Sequence, residues 1–194
     1  MTFLRLTGKK ETDQGTEKYM PAAAEVLQYR KRTETEILIM DKIASFQVNH
    51  LNLMPGLYLS RTDTKGQCTA STFDLRVTAP NREPVMDTPA IHTIEHLGAT
   101  FLRNSGRKEE VIYFGPMGCR TGFYLVVFGD QTAEDIYPLV MEMCDFILAF
   151  EGEIPGARPE ECGNWSEQNL NMAKYYIRRY RQELAENKRL TYPE

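Results

Sequence analysis

The sequence predicts an α+β fold: one domain in which an antiparallel β-sheet packs against α-helices, with an N-terminal extension ahead of it. Two observations carry this. One is the order of strand-like and helical segments along the chain; the other is the alternation at Thr72–Val77 beside the helical spacing of apolar residues at Thr88–Asn104. A third bounds the size: 194 residues, 42% hydrophobic and 26% charged, suffice for one buried core.

The elements follow in order. Residues 1–39 are polar and charged without a clear period, and Ala22, Val26, Leu27 and Tyr29 admit a short helix over Pro21–Arg32. This stretch reads as a loosely packed extension of unknown role. The body, 40–194, opens with a strand at Ile43–Val48 and a turn at Met54–Gly56. Strands are expected at Leu57–Ser60 and at Thr72–Val77, where Phe73, Leu75 and Val77 alternate with Asp74 and Arg76. Thr88–Asn104 is the best-marked helix: Thr88 can cap it and Pro89 suits its first position. Ile91, Ile94, Leu97, Gly98, Phe101 and Leu102 recur along one face, and Ser105-Gly106 ends it. Val111–Phe114 and Gly122–Phe128 read as strands around the Gly115–Gly118 turn. Thr132 with Asp135 forms a capping box for a helix reaching Phe150, which Pro138 is expected to kink or delay. A loop at Gly152–Pro159 precedes a last helix over Asn169–Asn187, basic toward its end.

Charge and hydropathy exclude several functions. The 23 basic and 27 acidic residues leave a net charge of −4, so no nucleic acid is expected as a partner. Apolar runs are as short as Tyr124–Phe128, so no membrane span is expected, and the absence of an apolar signal core points to the cytoplasm. Cys68, Cys119, Cys144 and Cys162 include no CxxC pair and read as free thiols.

The chemistry concentrates in His92-Thr93-Ile94-Glu95-His96, which holds two of the chain's three histidines. His92 and His96 lie one helical turn apart, so both imidazoles can reach one ion. Glu95 points near the same place and can take a proton beside it, while the apolar residues occupy the opposite face. A catalytic metal needs a third ligand and an open position. Cys162, followed by Gly163, and Cys119, in the glycine-bounded turn Pro116–Gly122, are the candidates. The Cys119 turn, with exposed backbone donors and Arg120 adjacent, favours a thiolate. Cys68 and Cys144 read as packing residues. Three readings stay open here. One is a metal lyase or isomerase using Glu95 and Cys119 as acid and base. The second is an H-x-x-E-H zinc peptidase. The third is a non-catalytic interaction module in which both histidines and both cysteines close around structural zinc.

Several separated blocks resemble the S-ribosylhomocysteine lyase (LuxS) family. They are ASFQVNH at 44–50, TFDLR at 72–76, PNREP at 80–84, HTIEH at 92–96 continuing to Arg103, YFGPMGCRTGFYL at 113–125 and ECGN at 161–164. Their order and spacing match, over roughly three quarters of the chain. The resemblance implies that His92, His96 and Cys162 bind a divalent metal, Fe²⁺, with Zn²⁺ or Co²⁺ able to substitute. It implies that Glu95 and Cys119 are the acid/base pair, and that Ser45, His50, Arg76 and Arg103 line or support the substrate pocket. It further implies a homodimer with its sites at the subunit interface, and a place in autoinducer-2 synthesis, quorum sensing and the activated methyl cycle.

Two departures stand out. Residues 1–39 have no counterpart, and Glu167-Gln168-Asn169-Leu170 stands where many members carry D-H-x-L. The implied reaction cleaves S-ribosyl-L-homocysteine to L-homocysteine and 4,5-dihydroxy-2,3-pentanedione. The sugar carbonyl must migrate from C1 to C3 before the C5–S bond can leave. That migration calls for two bases and a Lewis acid. Arg76 and Arg120 are both candidates for stabilising the Cys119 thiolate.

Overall fold

The computed structural model describes residues 10–13, 16–19 and 43–193. The chain divides into two units, Met1–Ile43 and Ala44–Glu194, each taken by itself below. Of the first unit, the described part is an antiparallel pair of strands, β1 (Lys10–Asp13) and β2 (Thr16–Tyr19), with Lys10 opposite Tyr19. This pair was not legible in the polar sequence, and the helix expected at Pro21–Arg32 lies outside the described residues.

The second unit starts with a correction. Ile43–Val48 is not a strand: Ala44–Gln47 forms a single helical turn, α1. None of the sheet's strands pairs with it, and Phe46 stays 72% exposed, so its apolar residues form no sheet face. The sheet has the order β3-β4-β6-β5 and is antiparallel throughout. It comprises β3 (Gly56–Lys65), β4 (Cys68–Arg76), β5 (Val111–Pro116) and β6 (Gly122–Phe128). The β3–β4 hairpin is longer than the sequence predicts, because its outer half is exposed and polar and carries no apolar alternation.

Three helices follow. α2 (Thr88–Asn104) is capped by Asp87, not Thr88: the Asp87 side chain accepts from the Ala90 N–H at 3.0 Å, which leaves Thr88 and Pro89 as the first helical residues. α3 (Ala133–Ala149) carries the expected Thr132–Asp135 capping box, and Pro138 sits inside it without delaying its start. α4 (Leu170–Asn187) is capped by Asn169, whose side chain accepts from Met172 N–H at 3.1 Å.

Phe73, Leu75, Phe123 and Leu125 of the sheet are buried together with Ile94 and Leu97 of α2, Val140 and Met143 of α3 and Ile177 of α4. Each such side chain contributes about 1.5–3 kcal/mol by leaving water. On β4 the alternate residues Thr72, Asp74 and Arg76 point to the other face, yet they too are buried. The core therefore fixes two things at once: the backs of α2 and β4, and hence the direction of the polar side chains on their fronts. All four cysteines are free, as expected. Among the described residues, no helix is long and apolar enough to cross a membrane.

Candidate metal centre and active site

α2 buries Ile91, Ile94 and Leu97 in the core and leaves His92, Glu95 and His96 on its opposite side. The two imidazoles meet edge to face, their centroids 4.5 Å apart. Each is held from behind: His92 Nδ1 donates to the Glu167 carbonyl at 2.9 Å, and His96 Nδ1 to the Pro155 carbonyl at 2.7 Å. With the Nδ1 proton committed, Nε2 of each ring presents its lone pair. Cys162 Sγ lies 3.4 Å from His92 Nε2, and the three donor atoms of His92, His96 and Cys162 lie within 4.8 Å of one another.

These residues fit a divalent metal. Ligand bonds of about 2.0–2.1 Å to imidazole and 2.3 Å to thiolate, at a tetrahedral angle, place nitrogen and sulfur about 3.6 Å apart. That spacing is close to the one observed. The Cys162 loop is itself braced, since the Cys162 N–H donates to the Arg158 carbonyl at 3.0 Å and the Asn164 N–H to Sγ at 3.5 Å. Glu95 stands beside the trio, its carboxylate 3.7 Å from His96 Nε2. In front of them opens a cleft of about 280 Å³ lined by His92, Glu95, Pro116, Asn164 and Glu167 among others.

Cys119 is not in the donor group. It follows the end of β5 in the turn closed by the Arg120 N–H on the Met117 carbonyl at 2.9 Å, with Arg120 at a positive φ of 59°. Its sulfur lies 3.1 Å from Thr121 Oγ1, and Arg76 Nη1 donates toward it at 3.8 Å. Partial burial works to raise the thiol's pKa. The side chain and backbone of Thr121 and the Arg76 guanidinium outweigh it, so the thiol lies below its ordinary value. The sequence left Arg76 and Arg120 as alternatives, and it is Arg76 that reaches the sulfur.

Arg76 is 3% exposed and depends on its own partners. Its Nη2 donates to Asp74 Oδ2 at 2.5 Å and its Nη1 to Thr121 Oγ1 at 2.5 Å. Burial pushes the Asp74 carboxyl up, and Arg76 pulls against that rise. A third group closes the row. Tyr192, beyond the last helix, donates to Asp74 Oδ2 at 3.0 Å while its ring stacks on Tyr58 at 4.7 Å between centroids. Asp74 Oδ1 and Arg76 Nε have no hydrogen-bond partner among the described residues.

The structure thus brings His92, Glu95, His96 and Cys162 into one cluster, and Cys119 and Arg76 into another. Pro116, three residues before Cys119, lines the first cluster's cleft. His50 bonds through Nδ1 to the Val48 carbonyl at 2.8 Å and lies near enough to Asp74 to lower that carboxyl's pKa. Arg103 donates to the Val111 and Ile112 carbonyls at 3.3 and 3.0 Å. Ser45 belongs to α1, and its side chain lies outside the described residues. The sequence reading missed Asp74, Thr121 and Tyr192. Asp74 carried a signal, two residues from Arg76 on a strand that otherwise reads as buried. Tyr192 carried none.

The chain is similar to known proteins over most of its length. The S-Ribosylhomocysteinase (LuxS) family matches residues 43–191. An S-ribosylhomocysteine lyase of Finegoldia magna is 58% identical over 157 residues, covering 80% of this chain and 100% of its own. One of Clostridium acetobutylicum is 57% identical over 159 residues, again 80% and 100%. One of Borreliella burgdorferi is 50% identical over 157 residues, covering 79% of this chain and its own full length. On a match spanning nearly all of the second unit, and relatives covered end to end at half identity or more, the chain belongs to the S-ribosylhomocysteinase (LuxS) family.

Proposed function

We propose that the protein is a metal-dependent S-ribosylhomocysteine lyase, cleaving S-ribosyl-L-homocysteine to L-homocysteine and 4,5-dihydroxy-2,3-pentanedione. One observation carries the reading: a three-donor His92–His96–Cys162 group has a carboxylate, Glu95, 3.7 Å from one of its imidazoles. His92, His96 and Cys162 would hold the ion, Fe²⁺ in this reading, with Zn²⁺ or Co²⁺ as substitutes. When bound, it supplies Lewis-acid stabilisation of negative charge developing on the sugar oxygens.

The rest is proton movement by the chain's own side chains. The proton on C2 is removed and one is returned to C1, which shifts the carbonyl to C2. The proton on C3 is removed and one is returned to C2, which shifts it to C3. Loss of the C4 proton then expels homocysteine sulfur from C5, and the resulting enol ketonises to the pentanedione. Atoms balance without an oxidant or added water. In this reading Glu95 and Cys119 carry these protons. The lowered thiol pKa makes the thiolate, the basic form of Cys119, easier to reach than in an ordinary thiol. Ser45, His50, Arg76 and Arg103 would supply the substrate contacts in this reading. The reading includes a cytoplasmic homodimer with its sites at the subunit interface, whose product feeds autoinducer-2 signalling and methyl-cycle recycling.

The peptidase alternative expects a downstream carboxylate as third ligand, whereas the third donor near the histidines is Cys162. The structural-zinc alternative needs Cys119 in the ligand set, whereas Cys119 partners Arg76 and Thr121. The test is homocysteine release from S-ribosylhomocysteine by anaerobically prepared, iron-loaded protein. Release that a chelator abolishes is expected. No release from protein with bound iron would refute the lyase assignment.

A further inference from the structure

Thr93 sits between the two metal-binding histidine neighbours on α2 but belongs to the helix's buried side, with 0% of its surface exposed. Its hydroxyl does not turn back to its own helix. It donates to Gln168 Oε1 at 2.8 Å and accepts from the Asn169 N–H at 2.9 Å. The residue before these, Glu167, is the one whose carbonyl fixes His92. The residue after the pair begins α4, for which Asn169 is the cap. Three consecutive residues at the end of the Cys162 loop therefore dock on two consecutive residues of the ligand helix. The Gln168 amide also lies against the His92 ring, its nitrogen 3.2 Å from Nδ1.

We propose that Thr93, through Gln168 and Asn169, is a positioning residue that latches the Cys162 loop to the ligand helix and so sets the affinity of the metal site. The physical reason is the distance along the chain. Cys162 is 70 residues from His92, and a thiolate so remote must be brought to the imidazoles at an entropic cost. A buried hydroxyl with both donor and acceptor roles satisfied fixes that approach before any ion arrives. Losing the hydroxyl leaves the Gln168 carbonyl oxygen and the Asn169 N–H without their buried partner.

The inference rests on the metal-binding reading, and the test separates the two. Apo protein is titrated with Co²⁺, following thiolate-to-cobalt charge-transfer absorption. Wild-type protein without that absorption would sink the metal reading itself. If wild type binds, Thr93→Val, which keeps the shape and removes the hydroxyl, is expected to bind about 10- to 100-fold more weakly. Thr93→Ser is expected to restore binding to within about twofold. Thr100→Val is the control: Thr100 donates only within its own helix, to the His96 carbonyl at 2.7 Å, and its loss is expected to leave affinity unchanged. Thr93→Val binding as tightly as wild type would overturn the proposal. Should Thr93→Val fail to fold, Gln168→Leu removes the hydroxyl's acceptor and leaves Thr93 in place. It is expected to weaken binding severalfold, and undiminished affinity there would overturn the proposal equally.

Discussion

Gly156 offers a measurement of how closely the metal ligands depend on the loop behind them. Its φ is +73°, and a Cβ built there would lie 3.0 Å from His96 Nδ1 and 3.1 Å from Cε1. Gly156→Ala therefore costs twice. The left-handed backbone costs an L-residue about 1–2 kcal/mol, less about 0.4–1 kcal/mol regained because alanine has fewer unfolded conformations. That leaves roughly 1 kcal/mol of folding stability, or about 2–4 °C in Tm for a unit of this size. The second cost falls on the ring. His96 must give by a few tenths of an ångström, and its 2.7 Å bond to the neighbouring Pro155 carbonyl is what it gives up. Weakened support of this kind lowers metal affinity about 10- to 100-fold. Gly152 supplies the comparison: its φ is +103°, but nothing lies within 4 Å of its would-be Cβ. Thermal unfolding of both apo variants should show similar losses. Cobalt titration should show weakened binding for Gly156→Ala alone. Equal metal affinities in the two variants would refute the argument that the loop acts on the metal through the His96 ring.

Other outcomes follow from the two clusters. Cys119→Ala should retain cobalt affinity within about twofold while homocysteine release falls by about 10²–10⁴; loss of the metal instead would put Cys119 among the ligands. Glu95→Gln keeps the volume and hydrogen-bonding reach but not the base, so it should bind metal and lose release to a similar degree. Cys119 alkylation by iodoacetamide should rise with pH and reach its midpoint below 9.0, the ordinary thiol value. The sign is fixed by the depressed pKa: the thiolate's favourable contacts are present above the unfolded value and are lost as pH falls through the folded one. Thr121→Val removes a hydroxyl 3.1 Å from the sulfur and should move that midpoint up. A midpoint left in place would show that Thr121 does not hold the thiolate.

The sequence showed α2 and its chemistry because both depend on local spacing. His92 and His96 share a face by helical period, and the apolar stripe behind them is regular enough to read. Gly122–Phe128 was legible to the residue because its apolar run is unbroken between Gly122 and Gly129. Asp87 as the cap was harder to see, since Thr88 is an equally good capping type one residue on. Ile43–Val48 misled because β-branched and aromatic residues mark strands only where a partner strand is available. Cys162 could be chosen from sequence only by the glycine after it and by family resemblance. What brings it to His92 is a fold-level juxtaposition across 70 residues, including the Thr93 latch, and no local pattern encodes that. The Asp74–Arg76 pair sits on a strand with both faces buried, where alternation loses its power to separate inside from outside.

Tyr192 gives the second cluster an order in time. A chain is synthesised from its N-terminus, and Tyr192 is joined 73 residues after Cys119. At about 5–20 residues per second, that is a lag of roughly 4–15 s. The thiol, Thr121 and the Asp74–Arg76 pair are all made before the hydroxyl that donates to Asp74 at 3.0 Å. A nascent chain thus carries His92, Glu95, His96, Cys119 and Cys162 while the carboxylate beneath Arg76 still lacks one of its two hydrogen-bond donors. The surroundings of the Cys119 sulfur are finished only once Tyr192 has been joined.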